Sequence, residues 1–554
     1  MEYKIHSTRY KDLSDDHLYS MYRESNYSKL KEDEKLDLVQ ETVNRDALER
    51  GEISAPEVRF VDLPVNESGN SIDGIININR DMAVYGVQNY EYKGKNIHHD
   101  IADYNMQTLN TAIHENVHCF QEQVIDGTID IEDNIILGAD KKLVFTSDSE
   151  KTGINNNILV VGSSGAGKTM SIVEPFLLET YSRNLVVSVS KRRIVDLFLP
   201  LLRERGYSVH VLDFVNPCKS DWCFDPLNYV NSYADITFLA KSLIVSQRRE
   251  KSTADPFWDD AAVSLLTALI TYVLMTKENP SFEDVLNMLH GLKFDDGAGT
   301  ITTNYDDYFD LIDEKEGRSN FAVINFKTFC KLPIKTAGCV YSTLNSSLDK
   351  VFSPELCEMF SLKSKVDYNE LATKKTIIFV ITSAVDQGIN TFINLFYTLT
   401  FKELFKIAEE NKNRRLPIDV CLIADDAAAG CPIPMLDSYI AVFREKGISM
   451  VLLLQSEAQL NAVYGNSAAI TIKNNCDSYV FMGGNDLETA QHIALRSDRP
   501  LLDILELDVG KELVFRRGMS YCETDRYNIK EDERYKQLIA EYTVFNDGGI
   551  MEIK

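Results

Sequence analysis

The segment Gly162-Ser163-Ser164-Gly165-Ala166-Gly167-Lys168-Thr169 fits G-x-x-x-x-G-K-[ST] at every fixed position. It follows the apolar run Ile158-Leu159-Val160-Val161 and leads into Met170-Ser171-Ile172-Val173-Glu174. That is the strand-to-helix setting in which such a loop cradles phosphates. Its glycines let successive backbone N–H groups point inward, and the following helix start adds positive potential. Lys168 would neutralise β- and γ-phosphate charge, and Thr169 would offer a hydroxyl to Mg²⁺, so ATP with Mg²⁺ is the expected cofactor pair. Such chemistry also needs a carboxylate at the end of a neighbouring strand. Val420-Cys421-Leu422-Ile423-Ala424-Asp425-Asp426 supplies two. Asp425 would hold Mg²⁺ through water, and Asp426 takes the place of a base or water-positioning group. Gln455, which closes the run Met450–Leu454, would sense the γ-phosphate or orient water, or simply end its strand.

A second constellation lies upstream. His114-Glu115-Asn116-Val117-His118 is an H-E-x-x-H inside the helical stretch 105–125. Histidines at i and i+4 share a helix face and could clamp Zn²⁺, with Glu115 beside them as general base. The inward stripe is expected at Met106, Leu109, Ile113, Val117 and Phe120, which leaves both histidines off it. Nearby carboxylates for a third ligand are Glu122, Asp126 and Asp130; His98-His99 lies upstream. Bound and catalytic zinc, bound but inert metal, and a metal-free helix all remain open at this level. Residues 1–130 look similar to zincin-like domains, the trailing Phe120-Gln121 included.

These residues need elements to hold them. The chain has 554 residues, 44% hydrophobic and 26% charged, which suits roughly three to four folded units and excludes disorder. Net charge is −26, with roughly −15 of it in the first 150 residues, so a general nucleic-acid-coating protein is excluded. Ten cysteines without a C-x-x-C pair read as buried free thiols in a reducing compartment. The opening residues Met1-Glu2-Tyr3-Lys4 lead into no apolar h-region, so no secretory signal is expected. The apolar stretch 261–275 falls short of the roughly 20 residues that span a bilayer, so no transmembrane segment is expected. Helical spacing dominates residues 1–60, a turn is expected at 67–71 and a strand at 74–79. From about residue 135 the texture changes. Apolar runs at 158–161, 185–189, 209–212, 376–380, 420–424, 450–454 and 479–482 alternate with helical stretches. This predicts a parallel sheet covered on both faces. Residues 232–366 read as an inserted all-α subdomain. The expected division is 1–134, a small α+β segment carrying H-E-x-x-H; 135–231, the first part of the α/β core; 232–366, the insertion; and 367–554, the second part with the C-terminal segment.

Residues 135 to 530 resemble the TraG/TraD-type coupling proteins, the conjugative DNA-transfer ATPases of type IV secretion systems carried by bacterial mobile elements. The resemblance rests on the run from Asn157 into the phosphate loop, Asp255-Pro256-Phe257-Trp258, Lys335-Thr336-Ala337, and Ala424-Asp425-Asp426 with Ile433-Pro434. It continues through Leu454-Gln455-Ser456 and Asn475-Cys476-Asp477 with Gly483-Gly484. It implies a RecA-like P-loop NTPase with an all-α insertion, assembled as a homo-hexamer around single-stranded DNA. It implies delivery of single-stranded DNA and its relaxase to the secretion channel components. It places Arg444 where a trans-acting arginine would stand. Three departures accompany it. Asp426 replaces the family's usual glutamate, which predicts slow hydrolysis. After the second strand, Val189-Ser190-Lys191-Arg192-Arg193 keeps only the lysine of the usual Asp-Pro-Lys-Gly-Glu. The zincin-like segment stands in place of the membrane anchor, so the chain is expected to be cytoplasmic and recruited to the inner face of the plasma membrane. An alternative makes the N-terminal segment a zinc metallopeptidase and the P-loop part its nucleotide-dependent scaffold. An ABC-type ATPase is disfavoured, since no L-S-G-G-Q occurs.

Overall fold

The computed structural model describes residues 6–50, 52, 54–64, 67–72, 74–92, 95–125, 133–245, 256–297, 300–316, 320–362, 364–383, 387–425 and 432–547. The chain forms two compact units, Met1–Ile131 with Glu204–Gly206, and Glu132–Arg203 with Tyr207–Lys554.

In the first unit two short helical turns precede α1 (Glu32–Arg50). Next come β1 (Glu57–Val61), β2 (Gly69–Ile72) and β3 (Ile75–Asn79), in the sheet order β1-β3-β2. β1 runs parallel to β3, and β2 antiparallel to it. Part of the turn expected at 67–71 is therefore strand β2, because its backbone pairs Gly69 with Ile78 through Ile72 with Ile75. A separate antiparallel pair, β4 (Val87–Tyr92) and β5 (Lys95–Asp100), leads to α2 (Tyr104–Ile125), the helix carrying H-E-x-x-H. α2 packs on α1, β2 and β3. Its buried face is Asn105, Thr108, Leu109, Ala112, Glu115, Asn116 and Cys119, whereas Met106 is exposed. The expected stripe is thus displaced. Asn105 and Asn116 turn inward because each has a partner there: Asn105 donates to Tyr22 O at 2.5 Å and Asn116 to Asp46 Oδ2 at 2.8 Å.

The second unit opens with a short pair, β6 (Asn134–Ile136) and β7 (Val144–Thr146). β8 (Ile158–Val161) follows, then α3 (Glu174–Leu178), β9 (Asn184–Val189), α4 (Arg192–Glu204) and β10 (Ser208–Asp213). The helical region contains α5 (Tyr233–Val245), α6 (Pro256–Thr276), α7 (Phe282–Gly291), the small hairpin β11 (Phe294–Asp296) and β12 (Ile301–Thr303), α8 (Phe321–Cys330) and α9 (Ile334–Val351). The chain returns to the sheet at β13 (Thr376–Ile381), then α10 (Gln387–Glu410), β14 (Val420–Ala424), α11 (Phe443–Lys446), β15 (Ile448–Leu454) and β16 (Ser478–Phe481). β17 (Lys511–Arg516), β18 (Cys522–Asp525) and α12 (Glu533–Asp547) complete it.

The nine strands stand in the order β10-β13-β9-β14-β15-β8-β16-β17-β18. All seven expected runs lie in this sheet and pair in parallel; β17 and β18 extend it antiparallel. Alternation within each strand feeds two cores. Leu159 and Val161 face one together with helices of the 232–366 region; Ile158 and Val160 face the other, with Phe176 and Phe198.

Two expectations need correction. α6 is long and apolar enough to cross a membrane, since its helix extends beyond the 261–275 run on both sides. Leu265, Leu266, Leu269 and Ile270 on it are fully buried in the protein core, which accounts for the hydrophobicity without a bilayer. The cysteines are not uniformly buried: Cys218 and Cys339 are exposed, although every described cysteine is a free thiol.

Candidate nucleotide-binding site

The phosphate loop leaves β8 at its carboxyl end, between β15 and β16, the edge at which open α/β sheets bind ligands. Both neighbours hold the loop by its backbone. Gly162 N donates to Leu454 O and Ser163 N to Gly483 O, each at 3.1 Å. Gly165 and Gly167 have φ of 77° and 81°, the left-handed region that a side chain disfavours, and these two residues make the loop curl. Lys168 is buried, and its ammonium donates to Gly162 O at 2.7 Å and Ser163 O at 3.3 Å. The lysine is thus folded over the cradle formed by its own loop. Thr169 starts the helical turn that continues as α3.

A cavity of about 510 Å³ lies against this turn. Thr169, Glu174, Lys191, Arg193, Asp425 and Lys530 are among its lining groups. The cavity brings together the hydroxyl and the carboxylate that the sequence assigned to one cation, although they are more than 250 residues apart in the chain. Asp425 follows β14, and its backbone N–H donates to Ser188 Oγ at 2.8 Å, while Ser188 donates to Ile423 O. That crosslink to β9 fixes the strand end from which the carboxylate projects. Lys191, the one residue kept from the pattern after β9, reaches the same cavity. Glu174 accepts from Tyr535 on α12 at 2.6 Å, and burial raises its carboxyl above the usual range.

The remaining expected residues fall in three places. Gln455 follows β15 beside the loop; it is exposed, and its N–H donates to Gln459 Oε1 at 3.3 Å. Asp426 lies outside the described residues. Arg444 is on α11, before β15 begins, and β15 runs parallel to β8. It therefore stands at the amino end of the sheet, where Nη2 donates to Ser149 O at 3.2 Å, and does not join the loop of its own chain.

One residue at the loop carries no sequence signature. Arg526, just after β18, donates from Nη1 to Ala166 O at 2.5 Å, from Nη2 to Met482 O at 2.6 Å and from Nε to Lys511 O at 3.3 Å. It ties the loop to β16 and β17. Beside it Glu512 is buried with neither carboxylate oxygen hydrogen-bonded. Burial pushes this carboxyl up to about 8, against the opposing pull of Arg526. An arginine after a two-stranded antiparallel extension could not be tied to the loop from spacing alone, because β17 and β18 return the chain to the edge of β16 only in three dimensions.

A model of the family described as type IV secretory system conjugative DNA transfer matches residues 107–496. The conjugal transfer protein TraG of Rhizobium radiobacter is 23% identical over 65% of this chain and 54% of its own length. The type IV secretion system-coupling protein VirD4 of Bartonella henselae is 22% identical over 68% of this chain and 57% of its own. The chain thus spans about half the length of the curated relatives it matches. Among solved structures, plasmid coupling protein TrwB in complex with ADP and Mg²⁺ superposes with a TM-score of 0.53 and 16% identity, over 74% of this chain and 92% of that one. TrwB with the non-hydrolysable ATP analogue ADPNP gives 0.54 at the same identity and coverage. The fold is therefore TrwB-like, a RecA-like P-loop NTPase, and the extent of the family match settles membership: this chain belongs to the type IV secretory system conjugative DNA transfer family.

Proposed function

We propose that this protein is the ATP-hydrolysing motor that couples a conjugative DNA substrate to a type IV secretion channel. The observation that carries the reading is the complete phosphate loop at the carboxyl edge of the sheet, with Thr169 and Asp425 on one cavity. The residues fit ATP with Mg²⁺. The N–H groups of the 162–168 loop surround the phosphates, and Lys168 exchanges its hold on Gly162 O for phosphate oxygens. Thr169 and Asp425 hold Mg²⁺, as expected of a hydroxyl and carboxylate at these positions. TrwB, which shares the fold, has been solved with ADP and Mg²⁺.

In this reading Asp426 positions the attacking water and Gln455 sits by the γ-phosphate. Arg444, at the far end of its own sheet, serves the nucleotide of a neighbouring copy in a homo-hexamer, stabilising transition-state charge from outside. Single-stranded DNA with its relaxase is the cargo, and the secretion channel is the partner. The acidic overall balance is compatible with DNA, because a ring needs positive charge only along its lining. The protein works at the inner face of the plasma membrane. The purified chain should hydrolyse ATP faster when circular single-stranded DNA is added. Turnover indifferent to DNA, or unaffected by Lys168→Ala, would defeat the proposal.

A further inference from the structure

Outside the motor, α2 brings the Nε2 atoms of His114 and His118 to 3.1 Å, and one Glu115 oxygen lies within 4.8 Å of a nitrogen on each ring. The other expected ligands, Glu122, Asp126, Asp130, His98 and His99, lie outside the residues whose side chains are described.

The cavity beside Thr169 and Asp425 holds more charge than the nucleotide chemistry uses. Lys191, Arg193 and Lys530 line it. All three are exposed, and among the described residues none has a carboxylate within 4.0 Å. Their neighbours do: Arg192 reaches Asp213 at 3.1 Å, and Lys536 reaches Glu533 at 2.6 Å. The lining has two carboxylates. Asp425 is the one assigned to Mg²⁺, and Glu174 is buried, where it accepts from Tyr535. The charges of Arg193, Lys530 and Lys191 act on Glu174, although none of them pairs with it.

Two elements present these cations. Lys191 and Arg193 stand at the start of α4, whose first turn has no acidic residue. Basic side chains there oppose the helix dipole, a cost that a bound anion would offset. Against Asp-Pro-Lys-Gly-Glu, Arg193 occupies the place of the glutamate, so a positive charge replaces a negative one at this wall. Lys530 comes from the turn Ile529–Glu531, anchored by the buried Ile529. The helix α12 that follows is tied down by Arg534 to Glu179 at 2.5 Å and by Tyr535 to Glu174 at 2.6 Å.

We propose that this cavity is a holding site for inorganic phosphate, and that Lys191, Arg193 and Lys530 bind the ion once it has parted from ADP. This rests on the ATPase reading above. Hydrolysis yields ADP, orthophosphate and a proton. ADP stays in the loop with Lys168, whereas Thr169 and Asp425 mark the side of the terminal phosphoryl group, and the cavity opens there. Orthophosphate leaves as a multiply charged anion, which three cations without carboxylate partners match. Because they are exposed, water screens them, and the ion is held loosely enough to be released.

The test is equilibrium dialysis of radiolabelled orthophosphate against the full chain loaded with ADP and Mg²⁺. Wild type should bind one phosphate per chain. Arg193→Glu and Lys530→Gln should each bind it about tenfold more weakly, the loss of one charge-assisted hydrogen bond, and Arg193→Lys should keep the affinity. ADP bound in the same samples shows that each variant is folded. Wild type that holds ADP but takes up no more phosphate than the Arg193→Glu/Lys530→Gln double variant overturns the holding site and leaves the motor reading standing. Wild type that binds no ADP overturns both.

Discussion

Replacing Glu512 by glutamine should make the nucleotide-binding unit more stable at neutral and alkaline pH, and the structure sets the size of the effect. The carboxyl is 1% exposed, both oxygens lack hydrogen-bond partners, and burial pushes it up to about 8 from an ordinary 4.5. The folded state therefore holds this proton more tightly than the unfolded chain does. Between the two values the native form binds more protons, so its stability falls as pH rises. The favourable contribution is complete below pH 4.5 and is lost through pH 8. At 1.36 kcal/mol per pH unit the loss reaches about 3 kcal/mol by pH 7 and about 4 kcal/mol by pH 8. Glutamine does not titrate. The stability of wild type relative to Glu512→Gln should thus decline by roughly 3 kcal/mol between pH 5 and pH 8. Urea titrations followed by tryptophan fluorescence measure this, because both tryptophans, Trp222 and Trp258, belong to the second unit. Parallel pH profiles for the two proteins would refute the reasoning, and would mean that Arg526 keeps Glu512 ionised in the fold.

Lys168→Ala should abolish binding of a fluorescent ATP analogue while leaving the urea midpoint near wild type, since the ammonium's bonds to Gly162 O and Ser163 O lie within its own loop. Asp426→Glu should speed ATP hydrolysis: the aspartate is one methylene short, and a water misplaced by about 1 Å can cost around 100-fold. A slower Asp426→Glu protein, measured by phosphate release, would show that aspartate is the right length here. Arg444→Ala should be inactive alone yet regain turnover when mixed with Lys168→Ala, because each copy then supplies what its neighbour lacks; a mixture that stays inactive places Arg444 outside the site. Gly162→Ala should lower the unfolding free energy measured by urea titration by about 1–3 kcal/mol, because the new methyl would stand 2.9 Å from Met482 Cβ.

The sequence by itself determined the strands and the loop between them. Seven apolar runs, too continuous for one-sided burial, could only be strands covered on both faces, and G-x-x-x-x-G-K-T after one of them located the phosphates. The H-E-x-x-H spacing likewise required only the 3.6-residue period to bring its two rings together. Tertiary structure decided what periodicity cannot express. The buried face of α2 is turned by Asn105 and Asn116, polar residues that go inside because Tyr22 and Asp46 receive them. The apolar helix α6 belongs to a protein core, a matter of what packs around it and not of its composition. Thr169 and Asp425 share a cavity because β14 and β8 lie on either side of β15 in one sheet, an order that no single strand encodes. Arg526 reaches the phosphate loop because two antiparallel strands carry the chain back to it, and a guanidinium can bridge three carbonyls only after they have been brought together.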